Sequence, residues 1–416
     1  MRVLMVGWGS RGDVQPYVAL GRGLAAAGHE VTIAAARDFE PMVTGAGLGF
    51  APFAISLGDD LDDPVVRRWL TGSTGPREEL RHLRAAVDAF APVFADGLAA
   101  ALPDAEAVVC GLLSLDAVTP WALREGRPVA AALLQPWLPT RLGASVLHPA
   151  RPAATSWLNR AAGRLQLNGM YSPLRSASRL VHERLGLPAG GRRGYVRSVT
   201  SVPTVVGASP RVVPQPPDWP AHVRITGQWV EPAPIGYEPP PALADFLAAG
   251  EPPVYLGFGS MPAAVGGRLR ELVLAAVGGR RVLLGGSLHD GPEPTAWVSE
   301  TALAIGSIPH EWLFPRTGGV VCHGGAGTTG TALRAGVPVA VVPHMGDQPY
   351  WGRRVHELGL GPEPVHHSRL TAERLAEMLG SFGDSALRAR TARFGLELRD
   401  ERGVDTAVAA LEAVLR

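Results

Sequence analysis

The sequence predicts an α/β protein of two Rossmann-like domains facing each other across a cleft. Three observations carry that reading. At 416 residues the chain exceeds one ordinary domain, and with 46% apolar against 19% charged residues each half can bury a full core. A strand, tight turn, helix, strand order opens the chain and recurs in its second half. Between the two lies a segment dense in proline, including Pro210, Pro214, Pro216, Pro217, Pro220, Pro232, Pro234 and Pro239 to Pro241.

Arg2–Gly7 reads as a buried strand that runs into the turn Gly9-Ser10-Arg11-Gly12-Asp13. A helix is expected from about Val14 to Ala27, with Val18, Leu20 and Leu24 near one face, stopped by Gly28-His29. Val31–Ala34, Val108–Leu113 and Pro128–Leu134 read as further buried strands, and Trp137–Arg184 as loops and helices inserted into the first domain. In the second half the expected strands are Pro253–Phe258, Arg281–Leu284, Leu303–Ile305, Val320–Cys322 and Val337–Val342. Helices are expected near Arg268–Val277 and Thr328–Ala335. Proline fixes φ and removes backbone donors, so the segment between should be a semi-rigid linker. The expected boundaries are an N-terminal domain 1–209, linker 210–241, a C-terminal domain 242–392 and a final helix 393–416 that packs back on the N-terminal domain. No repeat of fixed period is present.

With 39 basic against 38 acidic residues, net charge gives no reason to expect nucleic acid or an anionic surface as partner. Every basic residue other than histidine is arginine, which codon bias explains. Cys110 and Cys322 lie far apart and make neither a disulfide framework nor a metal cluster. The apolar run at the N-terminus is too short for a signal peptide, and no unbroken stretch of about 18 apolar residues suggests a spanning helix. The expectation is a cytoplasmic protein without integral membrane association, a monomer or weak dimer.

His323-Gly324-Gly325-Ala326-Gly327-Thr328-Thr329 stands directly between a strand and a helix. Small residues let the backbone approach a ligand, and helix-terminal N–H groups with the helix dipole make an anion site. His323 can add a donor to a phosphate oxygen. A glycine-rich turn that only packs a helix on a sheet would look similar; His323 at its head and Gly346-Asp347-Gln348-Pro349 downstream favour the ligand site. Loops at the carboxyl ends of neighbouring strands share one crevice, which places Asp347 and Gln348 beside the phosphate. A carboxylate next to an amide suits sugar hydroxyls.

Together with Gly9–Gln15, Gly257–Met261, Ile308–Pro315 and Gly346–Gly352, this array resembles the nucleotide-sugar-dependent glycosyltransferases of the GT-B fold. The likeness is to bacterial members that glycosylate antibiotics and to the sterol-glucosyltransferase-like group, and it covers nearly the whole chain. The resemblance implies that His323 and the amides of Gly325, Ala326, Gly327 and Thr328 hold the diphosphate, with Ser260 and Ser10 contacting it from two other loops. It implies that Asp347 and Gln348 bind the transferred sugar and that Ile308-Pro309-His310 meets the pyrimidine through its backbone. The cosubstrate would be UDP-glucose or a dTDP-sugar, with no permanently bound cofactor and no metal. Two positions depart from plant members: Ser307 replaces a stacking Trp, and Thr331 replaces a ribose-binding Glu.

Asp13 is the candidate base, because an acceptor hydroxyl must lose its proton as it attacks an anomeric carbon. Antibiotic-modifying relatives carry an Asp base in the matching segment. The alternative is that Asp13 only caps the helix after it, and both roles could hold. Asp59-Asp60-Leu61-Asp62-Asp63 has metal-binding Asp-x-Asp spacing but reads as a solvated loop. Asp116 could orient an acceptor, support Asp13, or lie on the surface. Trp137, Trp157 and Tyr171 are candidates to line an apolar acceptor pocket or to be core. The expected reaction is an inverting sugar transfer to an apolar small molecule such as an antibiotic, polyketide or sterol. A nucleotide-sugar epimerase or a binding-only homologue are the rival readings.

Overall fold

Parallel strands buried on both faces need near-continuous apolar runs, and these segments supply them. The computed structural model describes residues 1–56, 76–143, 146, 155–259, 263–289 and 293–415. The Asp59–Asp63 cluster and Ser260 lie outside the described residues. The chain divides into two compact units.

The first unit takes residues up to Glu231 and the end of the chain from Arg402. Its strands are β1 (Arg2–Val6), β2 (Glu30–Ala36), β3 (Gly49–Phe53), β4 (Ala107–Cys110), β5 (Val129–Leu133), β6 (Thr204–Val206) and β7 (Val223–Ile225). They form one parallel sheet in the order β3-β2-β1-β4-β5-β6-β7, so the winding direction reverses between β1 and β4. The helices are α1 (Arg11–Ala26), α2 (Glu40–Gly45), α3 (Pro76–Ala101), α4 (Leu115–Arg124), α5 (Trp157–Arg184) and α6 (Arg192–Ser201). Long α3 and α5 pack on each other, and α5 is a helix of the segment Trp137–Arg184 expected to hold loops and helices.

The second unit spans Pro232–Glu401. It contains α7 (Pro241–Ala248), β8 (Val254–Gly257), α8 (Ala263–Ala276), β9 (Val282–Gly285), β10 (Thr295–Ser299), β11 (Ala302–Ile305) and α9 (His310–Leu313). Then come β12 (Gly319–Cys322), α10 (Ala326–Ala335), β13 (Val339–Val341), α11 (Gln348–Glu357), α12 (Ala372–Ser381) and α13 (Ser385–Arg399). The sheet order is β10-β11-β9-β8-β12-β13, parallel except for β10, and it reverses between β8 and β12. Leu256, Leu284, Val321 and Ala340 share its core with Leu375 and Phe382.

Four expectations are corrected. The proline-dense segment is not simply a linker: Val223–Ile225 pairs with β6 as an edge strand. Val212, Val213, Trp219 and Trp229 are buried around it, and apolar side chains outweigh the prolines, which an edge strand tolerates. The final helix is two helices, α13 and α14 (Gly403–Leu415), of which only α14 joins the first unit, as expected of the chain's end. A side chain at Gly403 would collide with the Gln228 carbonyl, so the break closes on glycine. Third, α1 starts at Arg11, three residues before Val14. Finally, residues Glu78–Asp104 do form a helix long and apolar enough to cross a membrane by length and composition. Asp88 and Asp96 interrupt the stretch, so it contains no unbroken apolar run. Its residues Phe94, Ala95, Leu98 and Leu102 are buried in the first unit's core.

Candidate active site

In open α/β sheets, ligands bind beyond the carboxyl ends of strands where the strand order reverses. The second unit's reversal lies between β8 and β12, and these strands end at Gly257 and Cys322. Gly259 and His323 therefore emerge side by side, and a Cβ on Gly259 would lie 3.1 Å from the His323 ring. His323 Nε2 lies over Gly325, where an added Cβ would come within 2.5 Å. Gly324 has φ of +92°, which turns the chain sharply from β12 into α10.

Gly325 is the N-cap of α10, and no side chain caps that terminus. The first-turn amides of Ala326, Gly327 and Thr328 and the positive end of the helix dipole thus face the half-buried His323 ring. Burial pushes the His323 pKa down to about 4, with a backbone contact to Gly257 acting the other way. The ring is therefore neutral at pH 7, able to donate a hydrogen bond but carrying no charge. Cys322 below it is a buried thiol whose pKa burial raises to about 11, which rules it out as a thiolate nucleophile at neutral pH.

The structure brings Gln348 against this turn: a Cβ on Gly324 would lie 2.9 Å from the Gln348 carbonyl oxygen. Gln348 Oε1 accepts from the amides of His344 and Met345 at 2.7 and 3.1 Å, which fixes the side chain and leaves its NH₂ as the donor group. Asp347 Oδ2 accepts from Trp351 Nε1 at 2.7 Å. Sequence reasoning missed Trp351, although its i,i+4 spacing from Asp347 was a usable signal. It also missed His344, which is 2% exposed and stacked on His367 with centroids 4.6 Å apart. Burial first, then His367 and His323, pushes the His344 pKa down to about 3.

Ile308 is buried, and His310 stacks on Phe314 at 4.4 Å, its Nε2 3.5 Å from the Tyr255 hydroxyl. Thr331 hydrogen-bonds the Glu311 carboxylate, which also pairs with Arg334 at 3.7 Å. Burial raises the Glu311 pKa against the effect of both partners.

In the first unit the corresponding reversal, between β1 and β4, places the Gly9–Asp13 turn at a strand's carboxyl end. Ser10 is the N-cap of α1 and Asp13 its third residue, in a reciprocal capping box. The Ser10 amide and hydroxyl donate to Asp13 Oδ2 at 2.8 and 3.1 Å. Gly9 has φ of +140°, and any side chain there would strike the Asp13 carboxylate.

Each of the remaining candidates has its own surroundings. Asp116 is 4% exposed, and burial raises its pKa while a hydrogen bond from Ser178 and the charge of His182 oppose the rise. Trp137 is buried, Trp157 is 70% exposed, and Tyr171 bonds the Gly190 carbonyl beside Tyr195. Among the described residues, no group of three or more His, Cys, Asp or Glu converges as a metal cage.

Two α/β units with largely parallel sheets, each with a glycine-rich turn where its strand order reverses, define a GT-B protein. Solved structures with this fold superpose over nearly the full chain. The kitacinnamycin glycosyltransferase matches with TM-score 0.68 at 20% identity, covering 100% of this chain and 99% of its own. A Streptomyces sp. SF2575 glycosyltransferase complexed with thymidine diphosphate matches with TM-score 0.62 at 23% identity, covering 99% of each.

Residues 3–131 match the glycosyltransferase family 28 N-terminal domain, and residues 293–409 the C-terminal domain of erythromycin biosynthesis protein CIII-like proteins. The Streptomyces fradiae O-mycaminosyltylonolide 6-deoxyallosyltransferase is 34% identical over 99% of this chain and 97% of its own length. An Arabidopsis thaliana sterol 3-beta-glucosyltransferase is 29% identical over 99% of this chain, which spans 65% of that enzyme. The chain belongs to the family of GT-B, nucleotide-sugar-dependent glycosyltransferases that includes the S. fradiae enzyme.

Proposed function

We propose that this enzyme moves glucose or a deoxysugar from a UDP- or dTDP-sugar to a hydroxyl of an apolar small molecule, inverting the anomeric carbon without a metal. The observation that carries the donor site is the uncapped N-terminus of α10 beneath a neutral His323, with Asp347 and Gln348 fixed beside it. Asp13 takes the proton of the acceptor hydroxyl, whose oxygen forms the new bond to the anomeric carbon as the bond to the diphosphate breaks. The α10 amides and His323 take up charge on the departing diphosphate, the largest catalytic term expected of preorganised donors. Asp347 and Gln348 hold the sugar hydroxyls, and the backbone of Ile308–His310 receives the base. Relatives named for 6-deoxyallose on O-mycaminosyltylonolide and for glucose on sterols support an apolar acceptor and leave two donor classes to compare.

The test is a panel of UDP- and dTDP-sugars ranked by thermal shift, followed by transfer assays with antibiotic, polyketide and sterol acceptors. A saturating donor raises the melting temperature by mass action. The expected product carries the sugar with inverted anomeric configuration. A donor epimerised without acceptor, or no stabilisation by any nucleotide sugar, would overturn the reading.

A further inference from the structure

The near-neutral net charge conceals a strongly uneven distribution. Between Gly126 and His182 the sequence has seven arginines and no acidic residue. Most of the last part of that stretch is α5, a helix of 28 residues and therefore about 42 Å long. One face of α5 is core, with Gly163, Leu167, Met170, Leu174, Ala177 and Val181 buried. Its opposite face carries Trp157, Leu158 and Leu165, which are 70%, 58% and 77% exposed and stand close together rather than scattered singly. Arg164, Arg175 and Arg179 are exposed at helical spacing along the same face. No ion pair engages these three among the described residues, whereas Arg160 is paired with Asp218 at 3.9 Å. Of the acidic groups on the packed neighbour α3, Glu78 pairs with Arg81, Asp88 with Arg84 and Asp96 with Arg184.

We propose that this face of α5 docks the enzyme on an anionic lipid surface. A helix presenting Trp and Leu beside arginines, with no acidic residue between, matches the chemistry of an interfacial helix lying in the headgroup plane. The apolar side chains enter the headgroup–acyl boundary, and the arginines meet lipid phosphates, each adding to an attraction that salt screens. Long arginine stems suit this position, because the guanidinium can reach the headgroups while its methylenes cover apolar surface. The enzyme would lie on the bilayer, where an apolar acceptor is concentrated, without spanning it. The inference does not depend on the identity of donor or acceptor.

The full-length protein would be sedimented with vesicles of phosphatidylcholine alone and of phosphatidylcholine mixed with phosphatidylglycerol. Binding is expected only to the mixed vesicles, with loss as salt rises. Arg164→Glu/Arg175→Glu/Arg179→Glu should weaken it at least about tenfold, and Trp157→Ser/Leu158→Ser/Leu165→Ser should remove it. Circular dichroism checks each variant, and Arg→Gln replacements at the same three positions serve if the charge reversals fail to fold. Equal binding to neutral vesicles, no binding to anionic ones, or unchanged binding by folded variants overturns the proposal. So does a concentration-dependent doubling of mass abolished by the Leu158/Leu165 change, because a second copy would then cover the face.

Discussion

The turns Gly9–Asp13 and His323–Thr328 both leave the carboxyl end of a strand where the sheet order reverses, and both feed a helix. Their helix ends are opposite in kind. The first is closed by its own residues: Ser10 and Asp13 satisfy each other in a capping box, and the Asp13 carboxylate already offsets the helix dipole. A phosphate would meet negative charge there. The second opens on Gly325 with no capping side chain and a neutral imidazole above it. An anion would meet the positive end of the helix dipole and an N-cap without a capping side chain. Sequence alone shows two glycine-rich turns; the capping state separates a site suited to a base from one suited to a diphosphate.

The largest effect should come from the closed turn. Asp13→Asn keeps an oxygen that can accept from the Ser10 amide but cannot take a proton at neutral pH. Turnover should fall at least about a hundredfold, because a positioned base contributes about 10²–10⁴. Melting temperature and nucleotide affinity should hold. A near-normal rate would move the base elsewhere, with Asp116 or a histidine of the Trp137–Arg184 region tested next. Loss of folding would show that the capping box dominates that turn.

The open turn should respond in binding. His323→Ala removes a hydrogen bond to a charged phosphate, about 1.5–3 kcal/mol, or roughly ten- to a hundredfold in affinity for UDP or dTDP measured by calorimetry. Asp13→Asn should leave that affinity alone. Unchanged affinity in His323→Ala would make the histidine structural and misplace the donor.

A smaller effect concerns pH. The folded pKa values of His323 and His344, about 4 and about 3, lie below the usual value near 6.5. The unfolded chain therefore takes up these protons first. Their contribution to stability is full above about pH 6.5 and falls as pH drops toward the folded values. His344→Phe, which can retain the stack on His367, should flatten the loss of urea resistance between pH 7 and pH 5 by about one proton's worth of slope. An unaltered slope would mean that His344 does not govern it.

The smallest expected effect is none: activity should survive EDTA, since helix amides and His323 supply the diphosphate's partners. Full loss restored by magnesium or manganese would bring the Asp59–Asp63 cluster back into the mechanism.

Contiguous features were open to reading from the chain. The buried strands at Arg2–Gly7 and Val320–Cys322, the turns after them and Asp347-Gln348 are local patterns, and periodicity and turn chemistry are local physics. Packing set the rest. The capping box hid in a helix expected to start at Val14, since Ser10-x-x-Asp13 reads as one only once Arg11 is known to be helical. Val223–Ile225 is too short and too close to prolines to announce itself as a strand, and becomes one because β6 offers an open edge.

Composition and local pattern determined that there would be two α/β units, a glycine-rich strand-to-helix turn headed by His323 and a carboxylate at position 13. Tertiary structure alone decided that Asp116 would be buried beside Ser178 and His182, that His344 would stack on His367, and that Gly403–Leu415 would join the first unit. It also decided which side of α5 would be left bare. A side chain's burial, pKa and partners depend on surfaces brought together from distant parts of the chain, and no local window of sequence contains those surfaces.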